Sequence, residues 1–187
     1  MAITISGDSP NLTSASLTTP TLTSPTFAGT PSGSIITSMT AQASTSGTSI
    51  DFTSIPSWVK RITVMFDSVS TNGTSAKIVQ IGSGSVTTSG YLGTSVYTGA
   101  STGGSTYTTG IGIADGSAAD NIMGTCVICL LGSNTWVASV CTGRSSNAYG
   151  FLGGARLALG GTLDRVRITT VNGTDTFDAG SINILYE

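Results

Sequence analysis

The chain has 187 residues, of which 9% are charged and 39% apolar, with seven basic against nine acidic residues and no histidine. That length suits one moderate domain plus an appendage. The charge balance excludes a nucleic-acid binder, whose affinity rests on phosphate-neutralising Lys and Arg, and the lack of His excludes His-based triads and His metal sites. Disorder usually couples low hydrophobicity to high net charge. Here the net charge is −2 and the mean hydropathy +0.28, which leaves an uncharged, β-prone chain. No run approaches the roughly eighteen apolar residues of a spanning helix, so no membrane insertion is expected. The start, MAITISGDSP, lacks the basic and apolar regions of a signal peptide.

Residues 1–36 read as an extended attachment arm or stalk. Pro20, Pro25 and Pro31 remove backbone donors and hold their preceding residues extended. Leu12, Leu17 and Leu22 recur at every fifth position, and Phe27 follows at the same step. So sparse a row cannot enclose a core inside one chain. The four residues are expected to find shelter between chains, in a homo-oligomer, with a trimer the simplest. A low-complexity tail without structure is the alternative.

Residues 37–187 read as a β head. In WVKRITVMF, residues 58–66, period two puts Trp58, Ile62, Val64 and Phe66 on one face and Val59, Arg61, Thr63 and Met65 on the other. Asn72–Gly73 predicts a tight hairpin returning through AKIVQIG, residues 76–82. Residues 82–110 are Gly, Ser and Thr punctuated by tyrosine, either short strands or exposed loops. GTCVICLLG and TWVASVCTG flank Ser133–Asn134 and predict a second hairpin. TLDRVRITTV, residues 162–171, alternates again, and SINILYE closes the chain with Ile182, Ile184 and Tyr186 on one side. No helical period occurs. One-sided strands in such number predict an all-β fold, an antiparallel sandwich of the jelly-roll kind.

Chemistry is sparse. Cys126, Cys129 and Cys141 are odd in number, which argues against a disulfide framework. Cys126 and Cys129 have CxxC spacing, but within a strand residues three apart point to opposite faces. No metal or other cofactor is expected. Asp175 with Asp178, and Asp115 with Asp120, are the carboxylate pairs closest to a hydrolytic or calcium-binding pattern. Their Gly, Asn, Ser and Thr neighbours favour turn roles instead, and no enzymatic activity is expected. Asn72 and Asn172 each open an Asn-Gly-Thr acceptor pattern that also reads as a plain turn. Tyr91, Tyr97, Tyr107, Asn147 and Tyr149 are the candidate ligand contacts, because amphipathic rings on Ser/Gly spacers make adaptable binding surfaces. The bland reading of the tyrosines is cover for the core edge. Arg165 and Arg167 share a strand face and are candidates for pairing with aspartates of a neighbouring chain.

The segment IDFTSIPSWVKRITVMFDSVSTNGTSAKIVQIGSG, residues 50–84, resembles a module of tail-fibre and related appendage proteins of tailed bacteriophages and prophages. IPSWVKRITVMF carries most of the likeness. LTTPTLTSPTFAGTPSG, residues 17–33, is similar to the Pro/Thr-rich repeats that lead into such modules. The resemblance implies a virion protein assembled in the host cytoplasm. It would be homotrimeric, joined to other virion proteins through its leading segment, with a β head able to meet a host cell-surface glycan. The shortness of that leading segment suits a capsid fibre or capsid decoration protein equally.

Overall fold

Alternation of apolar and polar residues continues through most of the chain after residue 36. The computed structural model describes residues 36–118, 120–146 and 148–187. The expectations for Leu12, Leu17, Leu22 and Phe27, and for Asn147, lie outside the described residues. In chain order the strands are β1 (Thr37–Ser38), β2 (Gln42–Ala43), β3 (Ile50–Thr53), β4 (Arg61–Thr71), β5 (Lys77–Ser83), β6 (Ser85–Val86) and β7 (Leu92–Thr98). They continue as β8 (Thr102–Tyr107), β9 (Ile111–Ala114), β10 (Ile122–Gly132), β11 (Thr135–Arg144), β12 (Tyr149–Ala158), β13 (Arg165–Thr170) and β14 (Phe177–Tyr186). No helix occurs among the described residues, so none there is long and apolar enough to cross a membrane.

All strand pairs are antiparallel and form two sheets. The larger has nine strands in the order β1-β14-β4-β10-β11-β12-β7-β8, with β2 also on β14. The smaller has five, β3-β13-β5-β6, with β9 also on β5. The core draws on both sheets. Ile62, Val64 and Phe66 of β4, Cys126 and Ile128 of β10 and Trp136 and Val140 of β11 belong to the same buried cluster as Phe52, Val79, Ile81, Val166 and Ile168 of the smaller sheet. The pleat explains the selection, since alternate residues of each strand point to one side. Ile182 and Ile184 are buried as expected, and Tyr186 is half-buried beside them.

The turn at Ser133–Asn134 forms the expected hairpin between β10 and β11, with both residues at positive φ (47° and 57°), the conformation that hairpin twist favours. Gly124 sits at a register shift in β10 at φ 125°, where a Cβ would collide with the Cys141 carbonyl. Residues 82–110 resolve into strands: β7 and β8 pair over six positions, and β7 joins the larger sheet through β12.

Two expectations are corrected. The first is the Asn72–Gly73 hairpin, because β4 and β5 lie in different sheets. Gly73 is not in the left-handed region that a tight hairpin turn would require. Asn72 is tied to the segment before β14, its N–H donating to the Thr176 carbonyl at 2.9 Å while its Oδ1 accepts the Thr176 N–H at 2.9 Å. The missing Cβ of Gly73 admits the Asp175 carboxylate, which accepts the Ser75 N–H at 2.8 Å. The turn therefore carries the chain across the core. The second is Trp58, which precedes β4, is 51% exposed and packs its ring 5.7 Å from that of Tyr186.

One side chain completes a backbone ladder. Between its pairings with β9 and β6, β5 has no strand partner at Ile81 on that edge. The Tyr91 hydroxyl accepts the Ile81 N–H at 2.8 Å and faces the carbonyls of Thr87 and Ile81 at 3.1 and 3.3 Å. Burial pushes its pKa up to about 12. Tyr91→Phe should leave the Ile81 N–H buried without a partner and cost about 1–3 kcal/mol in urea unfolding. A variant as stable as the parent would contradict this ladder role.

Candidate functional site

The four sequence-predicted contact residues that the structure describes, Tyr91, Tyr97, Tyr107 and Tyr149, do not converge on one site. Tyr91, 1% exposed with its hydroxyl engaged, is a core residue. Tyr107 is buried as well, over Gly112, whose lack of a side chain makes room for the ring. Burial raises its pKa. Tyr97 and Tyr149 do meet, on the facing ends of β7 and β12. Their ring centroids are 5.8 Å apart, and Tyr97 lies 6.0 Å from Phe151. Together with Ala114 and Ile122 these rings form a small second core.

Arg144, at the end of β11, ties that second core to the turn after β9. Its guanidinium lies 4.1 Å from the Tyr149 ring centroid, and its Nη1 donates to Asp120 at 2.6 Å and Asp115 at 3.1 Å. Ser146 adds a hydrogen bond to Asp120. Burial works to raise the Asp120 pKa, but the hydrogen bonds from Ser146 and Ser117 and the charge and hydrogen bond of Arg144 hold it below the ordinary carboxylate value. The fully buried Lys77 lies in the field of both aspartates and donates to the Ser117 carbonyl at 3.3 Å. Burial is the larger effect and lowers its pKa. The Asp115–Asp120 segment, read from spacing as a faint calcium loop, is thus an arginine clamp. Among the described residues no group of three or more His, Cys, Asp or Glu is placed to hold a metal ion.

Arg165 and Arg167 find their carboxylates within the chain. Arg165 is bidentate with Asp164 at 2.8 and 3.1 Å, and Arg167 with Asp51 of β3 at 2.7 and 3.0 Å. Within the chain, the adjacent residue supplies the partner of Arg165 and the neighbouring strand that of Arg167. The Arg165 hydrogen bonds, offset in part by burial, lower the Asp164 pKa. The Arg167 guanidinium lines a groove of about 270 Å³ with Thr48, Ser49, Gln80, Thr88, Thr109 and Thr169. Hydroxyl and amide groups dominate its wall, and the Gln80 side-chain nitrogen is held by the Thr109 carbonyl at 2.8 Å.

The outward face of the larger sheet is different in kind. Its register aligns Met65, Thr125, Cys141, Leu152 and Val96 in one cross-strand row. The next row is Thr63, Val127, Ser139, Gly154 and Thr94, and a third is Arg61, Cys129, Val137, Arg156 and Leu92. Leu152 is 55% and Val96 51% exposed. Cys126 points inward and is buried, its thiol pushed up to about 12, while Cys129 and Cys141 belong to this outer face. No known protein family, curated protein or solved structure matches the chain.

The clamp generates a test. Arg144→Met would leave two carboxylates without their cation, and breaking a buried pair this way costs about 3–5 kcal/mol, read by urea unfolding at pH 7. Asp120 has a lowered folded-state pKa, so its stabilisation is present above its unfolded value and is lost as pH falls through the folded one. The stability gap between parent and Asp120→Asn should therefore be full at neutral pH and close below about pH 4. A gap that persists unchanged into acid would contradict the ionised clamp.

Proposed function

We propose that this chain is a structural virion protein of a tailed bacteriophage, a tail-fibre-like appendage subunit with a jelly-roll head that assembles with sister copies, three in the simplest case. The observation that carries the reading is the strand order. In an eight-stranded jelly roll the first, eighth, third and sixth strands make one sheet, and the second, seventh, fourth and fifth the other. Taking β3, β4, β5, β7, β8, β9, β10 and β13 as those eight, the smaller sheet reads β3-β13-β5-β9 and the larger β4-β10-β7-β8, once the β11–β12 hairpin is set aside as an insertion between β10 and β7. Strand β14 then extends the larger sheet beyond β4. Jelly rolls serve viral capsid proteins and lectins. Because a fold by itself does not assign a function, the virion reading leans also on the likeness at residues 50–84.

The side chains suit holding and assembly more than turnover. Asp51, Asp115, Asp120 and Asp164 are bound to arginine, Asp175 accepts from Asn172 and the Ser75 N–H, and Asp178 accepts from Ser70. A hydrolase would keep a carboxylate pair facing open substrate space. We read the chain as non-enzymatic on this ground. Contact with a host glycan is placed by this reading in the groove beside Arg167, where hydroxyls, an amide and a guanidinium line one wall.

Immunogold imaging of intact particles tests the assignment. Label on the tail supports the appendage, label confined to the capsid moves the protein to capsid decoration, and label on neither overturns the virion reading. Glycan-array binding should be found and should be abolished by Thr88→Trp, which fills the groove. Binding that survives the substitution would remove the groove from the proposal.

A further inference from the structure

Resting on the assembly reading, we propose that the outward face of the larger sheet is the seam on which another copy of this chain packs. An antiparallel sheet with one solvated face ordinarily alternates apolar-in and polar-out. Here β10 and β12 depart from that pattern. Val127 and Cys129 face outward on β10, and Leu152 on β12 lies between Cys141 and Val96. Leu92, Val96, Val137 and Leu152 are large apolar side chains exposed together on this face, and such a patch marks an interaction site more often than free surface.

Area and charge both point to a second copy as the occupant. Seven strands, β14 to β8, at about 4.8 Å spacing and seven residues deep at about 3.3 Å cover roughly 750 Å², close to the ~800 Å² per partner of a stable interface. The face carries few charges, and they are self-complementary. Arg156 makes no ion pair among the described residues and stands in the same row as Arg61, which is engaged by Glu187 at 2.9 Å. Asp67 lies six residues along β4 from Arg61, exposed, and among the described residues only the Ser68 hydroxyl bonds its carboxylate. A second copy turned face to face, about an axis midway between the two, sets each Arg156 against the other's Asp67; such a two-fold contact closes on a pair, so this seam joins two copies in place of three. A strongly acidic or basic partner would find no matching field on this face.

Leu152→Glu and Val96→Lys place charges in the row without touching the core, and Val171→Glu does the same at an exposed apolar position off this face. In sedimentation, each seam variant should raise the self-dissociation constant about thirtyfold or more, while Val171→Glu leaves it unchanged. Cys141 provides a second readout. Its alkylation, followed by peptide mass spectrometry, should be about tenfold slower in the parent oligomer than in Leu152→Glu. Circular dichroism and urea unfolding of the variants separate loss of assembly from loss of fold. An oligomer that persists in Leu152→Glu with Cys141 freely alkylated overturns the seam and leaves the assembly reading standing. A parent that stays monomeric at high concentration overturns both.

Discussion

A nine-stranded sheet has two faces, and the five-stranded sheet against it can cover only part of one. At about 4.8 Å per strand, the eight-strand path of the larger sheet is some 34 Å wide and the β3–β13–β5 set about 10 Å. The remaining inner surface must be closed by something else, or apolar side chains would stand in water. Much of the irregular structure answers that demand. Strand β9 packs against β7, β11 and β12, and all four of its residues are buried. Tyr91 and Tyr107 fill in beside it. At the far end Tyr97, Tyr149 and Phe151 gather around Arg144.

The arginine clamp is a consequence of the same closure. Aromatic rings at the end of a sheet leave backbone carbonyls, hydroxyls and loop carboxylates close to a low-dielectric region. A guanidinium is the group that satisfies both sides, offering its face to a ring and its edge to carboxylates. Asp115 and Asp120 come from the segment after β9, so the clamp also fixes where that strand ends. Lys77, buried nearby, has the compact charge without the planar face, and burial dominates its titration. The two cations in one region are therefore not equivalent. Arg144 stabilises by making many partners at once, and Lys77 is tolerated because aspartates surround it.

Much of this fold was legible in the sequence, and the reasons for the misses are physical. Strands such as 62–66 and 182–186 announce themselves because the pleat imposes period two. Ser133–Asn134 was legible because its two short flanks leave a hairpin as the only closure. Asn72–Gly73 carries the same local signal, yet its partner strand is chosen by a long-range competition that β10 and β14 win. Turn chemistry reports that the chain reverses, not which sheet it enters. The tyrosines were ambiguous for a related reason: a Tyr among Gly and Ser looks like a binding loop until the missing ladder partner at Ile81 is known. The apolar outer face did have a signal. TCVICLL is apolar at both parities, and a strand with both faces apolar expects cover on both. The partner of Arg167 had none, because strand adjacency between β3 and β13 spans more than a hundred residues of sequence.

The distribution of charge turns this architecture into a directional object. The chain has seven basic residues, and four of its arginines, Arg61, Arg144, Arg165 and Arg167, are consumed by carboxylates of the same chain. Two of those pairs lie on the outward face of the smaller sheet, beside a groove of hydroxyls. That face is hydrophilic through groups that are already satisfied, which keeps it wet without making it adhesive to whatever charge is nearby. The larger sheet's outward face has the opposite economy: apolar side chains, thiols, and one arginine, Arg156, without a carboxylate among the described residues. Surface ion pairs contribute little stability by themselves, so the value of pairing on one face and not the other lies in specificity. A molecule arranged this way has one side that prefers water and one side whose desolvation is favourable. Any assembly it joins must bury the second and display the first.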